Sequence, residues 1–310
     1  MKNILVICVV LLIGGCGTKA KLSEEGSIKT SLGYLASDEL EGRNTGTAGI
    51  EKAAIFIENY FRKNKVSPYF TSYRDSFNLD KIVGYNIVGY VEGNDKKLKD
   101  EFVILGAHYD HIGVIKEVNG DTIANGANDD ASGTVAVMEW AKYFANSKSN
   151  KRSLLFTLYD AEEMGLKGSK HLAEKLKKEN IKLYTMINFE MIGVPRAKTK
   201  KLAYITGYNK SNIASKINEY ADIEIIDYFS KSEDYNLFKR SDNYPFYQQF
   251  GIPAHAISTF DFTNFEYYHH VDDEAGLINY AHMTYFINTM IPAIEGITNS
   301  ELQEIKMNNE

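Results

Sequence analysis

The segment Gly126-Ala127-Asn128-Asp129-Asp130-Ala131-Ser132-Gly133 sets two adjacent carboxylates between glycines, just ahead of a stretch with helical spacing. Adjacent carboxylates repel unless a cation stands between them, and the glycines let backbone approach closely. Upstream lies His108-Tyr109-Asp110-His111, and downstream lie Asp160-Ala161-Glu162-Glu163, Asn188-Phe189-Glu190 and Tyr268-His269-His270. Imidazoles and carboxylates without a nearby thiolate are the ligand types of zinc and other borderline divalent metals in hydrolytic sites. In His108-x-Asp110 the imidazole can bind metal while the carboxylate two residues on orients it. In the Glu162-Glu163 pair, neighbouring side chains at a strand end point in different directions. Glu163 is then suited to bind metal and Glu162 to act as a base toward water. Each cluster alone has an ordinary reading: a helix cap at Asp129-Asp130, a solvated pair at Glu162-Glu163, paired core residues at Glu190 and His269. Their common position after apolar runs favours chemistry.

Those apolar runs are the elements that must carry the clusters. Phe102–Leu105 and Leu154–Tyr159 are short continuous apolar stretches of the kind buried on both faces of a sheet. Leu183–Phe189, Leu202–Thr206, Ala254–Ser258 and the loosely alternating Asn86–Val91 are further strands. Helical spacing runs through Glu24–Leu40, Thr45–Asn64, Ser132–Ala145, Gly168–Asn180, Asn209–Tyr220 and Leu277–Ile297, with Glu41–Gly46 a turn-rich break. Strands alternating with helices predict an α/β domain with a mostly parallel central sheet covered by helices on both faces. Ligands in such sheets sit beyond the carboxyl ends of the strands, where three of the clusters fall.

The chain has 310 residues, a formal charge of -6, 44% hydrophobic and 25% charged residues. That balance is ordinary for a globular protein and offers no basic stripe for nucleic acid. Lys2 followed by the apolar Ile4–Ile13 and by Gly14-Gly15-Cys16 predicts an export signal over 1–16, too short to span a bilayer. Leu12-Ile13-Gly14-Gly15-Cys16 resembles a bacterial lipobox, which would leave a lipidated Cys16 as the first mature residue on a membrane-anchored protein of the cell envelope. Residues 17–24 then form a tether, 25–300 one domain and 301–310 a tail. The other cysteine, Cys8, lies in the removed segment, so the mature chain has no internal disulfide and no thiolate site.

From about Leu35 to Ala293 the chain resembles the M28 family of zinc aminopeptidases. The resemblance rests on Gly106-Ala107-His108-Tyr109-Asp110, the Gly126–Gly133 segment, Glu162-Glu163-Met164-Gly165, Asn188-Phe189-Glu190-Met191-Ile192-Gly193 and Tyr268-His269. Leu40-Glu41-Gly42-Arg43, Tyr85-Asn86-Ile87-Val88-Gly89, and Ser241-Asp242 ahead of Pro245-Phe246 support it. The resemblance implies a single zinc-exopeptidase-like domain holding two zinc ions. Asp129 would bridge them, His108 and Glu190 would complete one, and Glu163 and His269 the other. It also implies Glu162 as general base, Asp110 as the carboxylate behind His108, and peptide substrates. Two such ions about 3.5–4 Å apart share and acidify a water. The chain departs from the family pattern at Glu190, where aspartate is commoner, and at Asn243, where histidine is common. Of His269 and His270, the spacing to Asp273 favours His269. His111, His171, His255 and His282 are expected to be structural or surface residues, with His111 the exception to watch because it lies in the first motif. A single-zinc glutaminyl-cyclase-like enzyme and a non-catalytic binding lipoprotein are the alternatives on the same fold. The complete set of five ligands and the Glu162-Glu163 pair weigh against both.

Overall fold

The computed structural model describes residues 21–308. The predicted export signal, Cys16 and the first part of the tether lie outside the described residues. In chain order the helices are α1 (Glu25–Leu35), α2 (Ala48–Lys63), α3 (Ser132–Ser147), α4 (Lys167–Lys178), α5 (Ile213–Ala221), α6 (Ser230–Asp234), α7 (Asn243–Phe250) and α8 (Tyr280–Asn299). The strands are β1 (Ser67–Pro68), β2 (Arg74–Leu79), β3 (Ile82–Val91), β4 (Glu101–His108), β5 (Gly113–Val118), β6 (Asp121–Ala124), β7 (Ser153–Tyr159), β8 (Lys182–Glu190), β9 (Ala203–Ile205), β10 (Ile226–Asp227) and β11 (Ala254–Ser258).

Nine strands form one sheet in the order β1-β3-β7-β4-β8-β11-β9-β10, with β2 also on β3, and β5 and β6 form a separate hairpin. The four central strands β7, β4, β8 and β11 run parallel, as expected, while β1, β2 and β3 on one flank and β9 against β11 on the other pair antiparallel. Side chains alternate across the sheet with period two. Val103 and Leu105 face the layer of α1, α2, α3, α5 and α8, whereas Ile104 faces that of α4 and α7. Strand β7 is buried at every position, which is why its sequence is continuously apolar.

Register brings the carboxyl ends together. His108 pairs with Tyr159, Gly106 with Asn188, and Ser258 with Glu190. Strand β4 lies between β7, which follows it, and β8, which follows β7. The chain therefore leaves β4 toward one side and later returns to its other side, the switch point at which open α/β sheets bind ligands.

The structure shortens the first predicted helix to Leu35 and continues it as a 3-10 turn over Asp38–Arg43, where Glu41 and Gly42 adopt left-handed backbone. This reversal turns the Arg43 side chain into the interior, where its guanidinium donates to the carbonyls of Tyr109, Asn125 and Gly126. Gly42 has φ +66°, and an added Cβ would meet the Ala124 carbonyl oxygen; the turn therefore requires glycine. The β5-β6 hairpin, β2 and α7 lack the apolar periodicity that marks the other elements. Residues 301–308 return to the domain: Ile305 is buried and Met307 bridges to Ser211.

Candidate metal centre

His108, Asp129, Glu163, Glu190 and His269 come together at the carboxyl end of the sheet, and His111 joins them. Their donor atoms form two groups that share Asp129: His108 with Asp129 and Glu190, and His111 with Asp129, Glu163 and His269. His108 Nε2 lies 3.2 Å from Asp129 Oδ1 and 3.1 Å from Glu190 Oε1. His269 Nε2 lies 3.3 Å from Asp129 Oδ2 and 3.1 Å from Glu163. The two carboxylate oxygens of Asp129 thus face different groups.

The supporting contacts follow from the motifs. His108 Nδ1 is 3.1 Å from the Asp110 carbonyl oxygen, and donation there leaves Nε2 free as a metal donor. The Asp110 carboxylate stands 3.6 Å from the same nitrogen. Its oxygens instead accept the backbone N–H groups of Glu162, at 3.1 Å, and Glu163, at 3.3 Å. Asp110 therefore positions the glutamate pair as well as standing behind His108. Asp130 does cap α3, accepting from Gly133 N at 3.0 Å, and also accepts from Met191 N at 2.9 Å, which fastens the end of β8. Gly133 permits this close packing, since a Cβ there would strike the Phe189 carbonyl oxygen. The Asp273 carboxylate accepts from Asn128 N and Asp129 N at 2.8 and 3.0 Å, fixing the backbone of the residue that both groups share. Glu190 Oε2 accepts from Ser241 Oγ at 2.7 Å, and Asn188 holds that hydroxyl from the other side. The extra methylene at Glu190 is thus accommodated by a side-chain anchor.

Electrostatics favour a cation. Asp129 is buried, and among the described residues its Oδ2 has no properly directed hydrogen-bond donor. Burial raises the Asp129 pKa, but the imidazoles of His108 and His269 outweigh it and hold the carboxyl well below the usual range. Burial lowers the pKa of His269, but Asp129 and Glu163 reverse that and take it to about 10. Burial, reinforced by the negative Asp242, Glu190 and Glu163 and opposed by His108, pushes Glu162 well above the normal carboxylate range. Asp242, fully buried and just after Ser241, is raised to about 8, chiefly by burial. A buried, hydrogen-bond-deficient carboxylate flanked by nitrogen and oxygen donors fits zinc, for which both donor types are native ligands. A pocket opens onto this centre, lined by Glu162, Glu163 and Glu190 and walled by Tyr204, Leu237, Phe260, Phe262 and Tyr268, with Arg240 beside Ser241.

Of the histidines expected to be structural, His255 is buried between Ser211 and the Thr206 carbonyl. His171 pairs with Asp75. His111 is the one the sequence reading left out: it is fully buried with Nδ1 3.1 Å from Glu163 Oε1. Its place in the first motif was the signal. The roles of Asp273 and Ser241 are long-range contacts that no local pattern announces.

Residues 86–294, more than half of the chain, match Peptidase family M28. A probable zinc metalloprotease of Pyrenophora tritici-repentis is 37% identical over 112 residues, which are 36% of this chain and 25% of that protein. The chain spans between 21% and 53% of the length of the curated relatives it matches. Among solved structures, the LapA aminopeptidase of Legionella pneumophila superposes with a TM-score of 0.69 at 22% identity, covering 89% of this chain and 72% of that one. A glutaminyl cyclase of Fimbriiglobus ruber superposes at 0.68 and 16% identity, over 89% of this chain and 97% of that one. At such identities the superpositions establish the fold, and they hold for both kinds of enzyme. The match over residues 86–294, on a mostly parallel α/β sheet, shows that this chain belongs to Peptidase family M28.

Proposed function

We propose that the protein is a two-zinc exopeptidase, an aminopeptidase that removes N-terminal residues from peptides. The observation that carries this reading is the pair of donor groups sharing Asp129, with Glu162 beside them at the floor of an open pocket. When bound, zinc supplies Lewis acidity toward a carbonyl and lowers the pKa of an attached water to around 7. The chain's own residues supply the rest. His108, Asp129 and Glu190 would hold one ion, and Glu163 and His269 with Asp129 would hold the other. Glu162, whose backbone N–H is fixed by Asp110, takes the proton from the attacking water and delivers it to the leaving amine. The aromatic walls of the pocket exclude water from the scissile bond and offer apolar surface to a substrate side chain.

Two features support two ions over the single ion of a cyclase: both donor groups are complete, and Asp129 presents one oxygen to each. The test combines metal analysis of the full-length protein with aminoacyl substrates and N-terminal glutaminyl peptides. About two zinc ions per chain and chelator-sensitive release of N-terminal residues are expected. Cyclisation of glutaminyl peptides with a single bound ion would replace this reading with the cyclase, and bound peptide without turnover would replace it with a binding protein. We also propose that Cys16 is lipidated and anchors the exported protein to a membrane of the cell envelope. Cys16→Ser should then move the protein from the detergent phase to the aqueous phase, and unchanged partitioning would remove the anchor.

A further inference from the structure

We propose that His111 is a fourth protein ligand to one of the two metal ions, so that the pair is built asymmetrically, one position closed by protein and the other left open. The inference rests on the two-metal reading and extends it. In a tetrahedral zinc site with bonds of 2.0–2.2 Å, neighbouring donor atoms stand about 3.3–3.6 Å apart. His111 Nδ1 lies 3.1 Å from Glu163 Oε1 and 3.8 Å from Asp129 Oδ2. His269 Nε2 lies 3.3 Å from Asp129 Oδ2 and 3.1 Å from the same Glu163 Oε1. Four donor pairs thus sit close to the edges of one tetrahedron. The group of His108, Asp129 and Glu190 supplies only three corners.

His111 is held for this task from its other side. Its ring packs on Gly126, where an added Cβ would come within 2.6 Å of His111 Cδ2. Arg43 accepts the His111 backbone N–H through its own carbonyl and ties Gly126 through its guanidinium, so one buried residue clamps both loops. Among the described residues His111 Nε2 has no hydrogen-bond partner, so the polar contacts of this fully buried ring lie at Nδ1. A buried imidazole whose only polar contacts are to two carboxylates also crowded by a second imidazole has the arrangement of a ligand rather than of a core histidine, whose ring nitrogens are ordinarily both paired.

The functional consequence follows from coordination number. Zinc with four protein ligands is characteristic of closed, structural positions, and zinc with three keeps a place for water or substrate. His111, Asp129, Glu163 and His269 would therefore hold the more tightly bound ion, and His108, Asp129 and Glu190 would hold the more exchangeable one and leave a place beside it for substrate.

The test is made on the full-length protein in detergent, stripped of metal and reloaded with zinc against a chromophoric chelator. X-ray absorption then counts imidazoles. The expectation is two affinity classes and three imidazoles per two zinc ions in the unaltered protein. His111→Ala and the bulkier His111→Gln should weaken the tight class by more than about tenfold and lower the count to two. His108→Ala should abolish the weak class alone. Two imidazoles per two ions in the unaltered protein overturn the proposal and leave the two-metal reading intact; this measurement requires no variant to fold. Weakening of the loose class by His111→Ala overturns it as well. A single ion carrying two imidazoles sinks the two-metal reading while retaining His111 as a ligand, and a single ion carrying one imidazole sinks both.

Discussion

Helix α3 carries one buried acid and is preceded by another, and the two differ in what surrounds them. Glu139, on the helix, is 1% exposed. Its oxygens accept from Ser23 and Ser27 hydroxyls at 2.8 and 2.7 Å, from Tyr60 at 2.7 Å and from Lys142 at 2.7 Å. Asp129, just before the helix, is 2% exposed, and one of its oxygens lacks a directed donor while imidazoles and further carboxylates crowd it. Burial raises the Glu139 pKa, but Lys142 and Ser27 more than compensate, so it stays ionised as part of the protein's internal bonding. A carboxylate whose neighbours already satisfy it is structural, and one left deficient in a polar cleft awaits a ligand.

The sharpest way to break this comparison is at Asp129. Asp129→Asn keeps the shape and removes the charge that both donor groups share. Zinc content should fall for both ions, and turnover should drop by about 10³-fold or more, equivalent to several kcal/mol of lost metal stabilisation. Retention of both ions would mean that Asp129 is not the shared ligand.

Next in size is the Glu162-Glu163 pair, where two adjacent acids have different partners. Glu163 meets His111 and His269, whereas Glu162 makes no ion pair among the described residues and faces the pocket. Glu162→Gln should leave zinc bound while turnover falls by about 10²- to 10⁴-fold, the range for a general base. Glu163→Gln should lower zinc affinity first. The opposite pattern in zinc content exchanges the two roles.

Removing Glu139 should act only on stability. Glu139→Ala leaves Lys142 and three hydroxyls facing an apolar void, at a cost of about 3 kcal/mol in denaturant unfolding. Zinc content and turnover of the folded fraction should not change. A loss of zinc would show that the two regions are coupled through α3 after all.

The sequence carried the central sheet and the site because both are written locally. Leu154–Tyr159 and Leu183–Phe189 are apolar because both faces are covered, and the acids of the cleft follow them, Glu162-Glu163 in the turn after β7 and Glu190 at the end of β8. The edges were less legible. Strand β2 reads Arg-Asp-Ser-Phe-Asn-Leu and is half exposed, and α7 is short and contains Pro245, so neither has a strong period. His111 was hidden for another reason. A histidine two residues past Tyr109 has no periodic position, and only the Arg43 clamp and the packing on Gly126, both made by distant segments, aim it at Glu163. The grip of Ser241 on Glu190 spans 51 residues and depends on where α7, which begins two residues after Ser241, packs against β8.

The smallest expected effect separates a satisfied histidine from those clustered around Asp129 by its response to acid. His255 is fully buried; its Nδ1 stands 2.8 Å from the Thr206 carbonyl, and its Nε2 accepts from Ser211 at 2.8 Å. Burial, only partly offset by that carbonyl, lowers its pKa from 6.5 to about 4. The unfolded chain therefore binds a proton between these values that the folded chain refuses, so the stability held by neutral His255 is complete above pH 6.5 and is lost as pH falls toward 4. By pH 5 the loss amounts to about 2 kcal/mol relative to neutral and higher pH. His255→Gln keeps a donor and an acceptor without a titrating group, so its stability should follow a flatter acid limb than the unaltered protein over that interval. The comparison is made on metal-free protein at matched ionic strength, so that protonation of His108, His111 and His269 on loss of zinc does not enter. Parallel acid limbs for the two proteins would show that His255 does not remain neutral in the fold, and its assignment to the satisfied, structural class would fail.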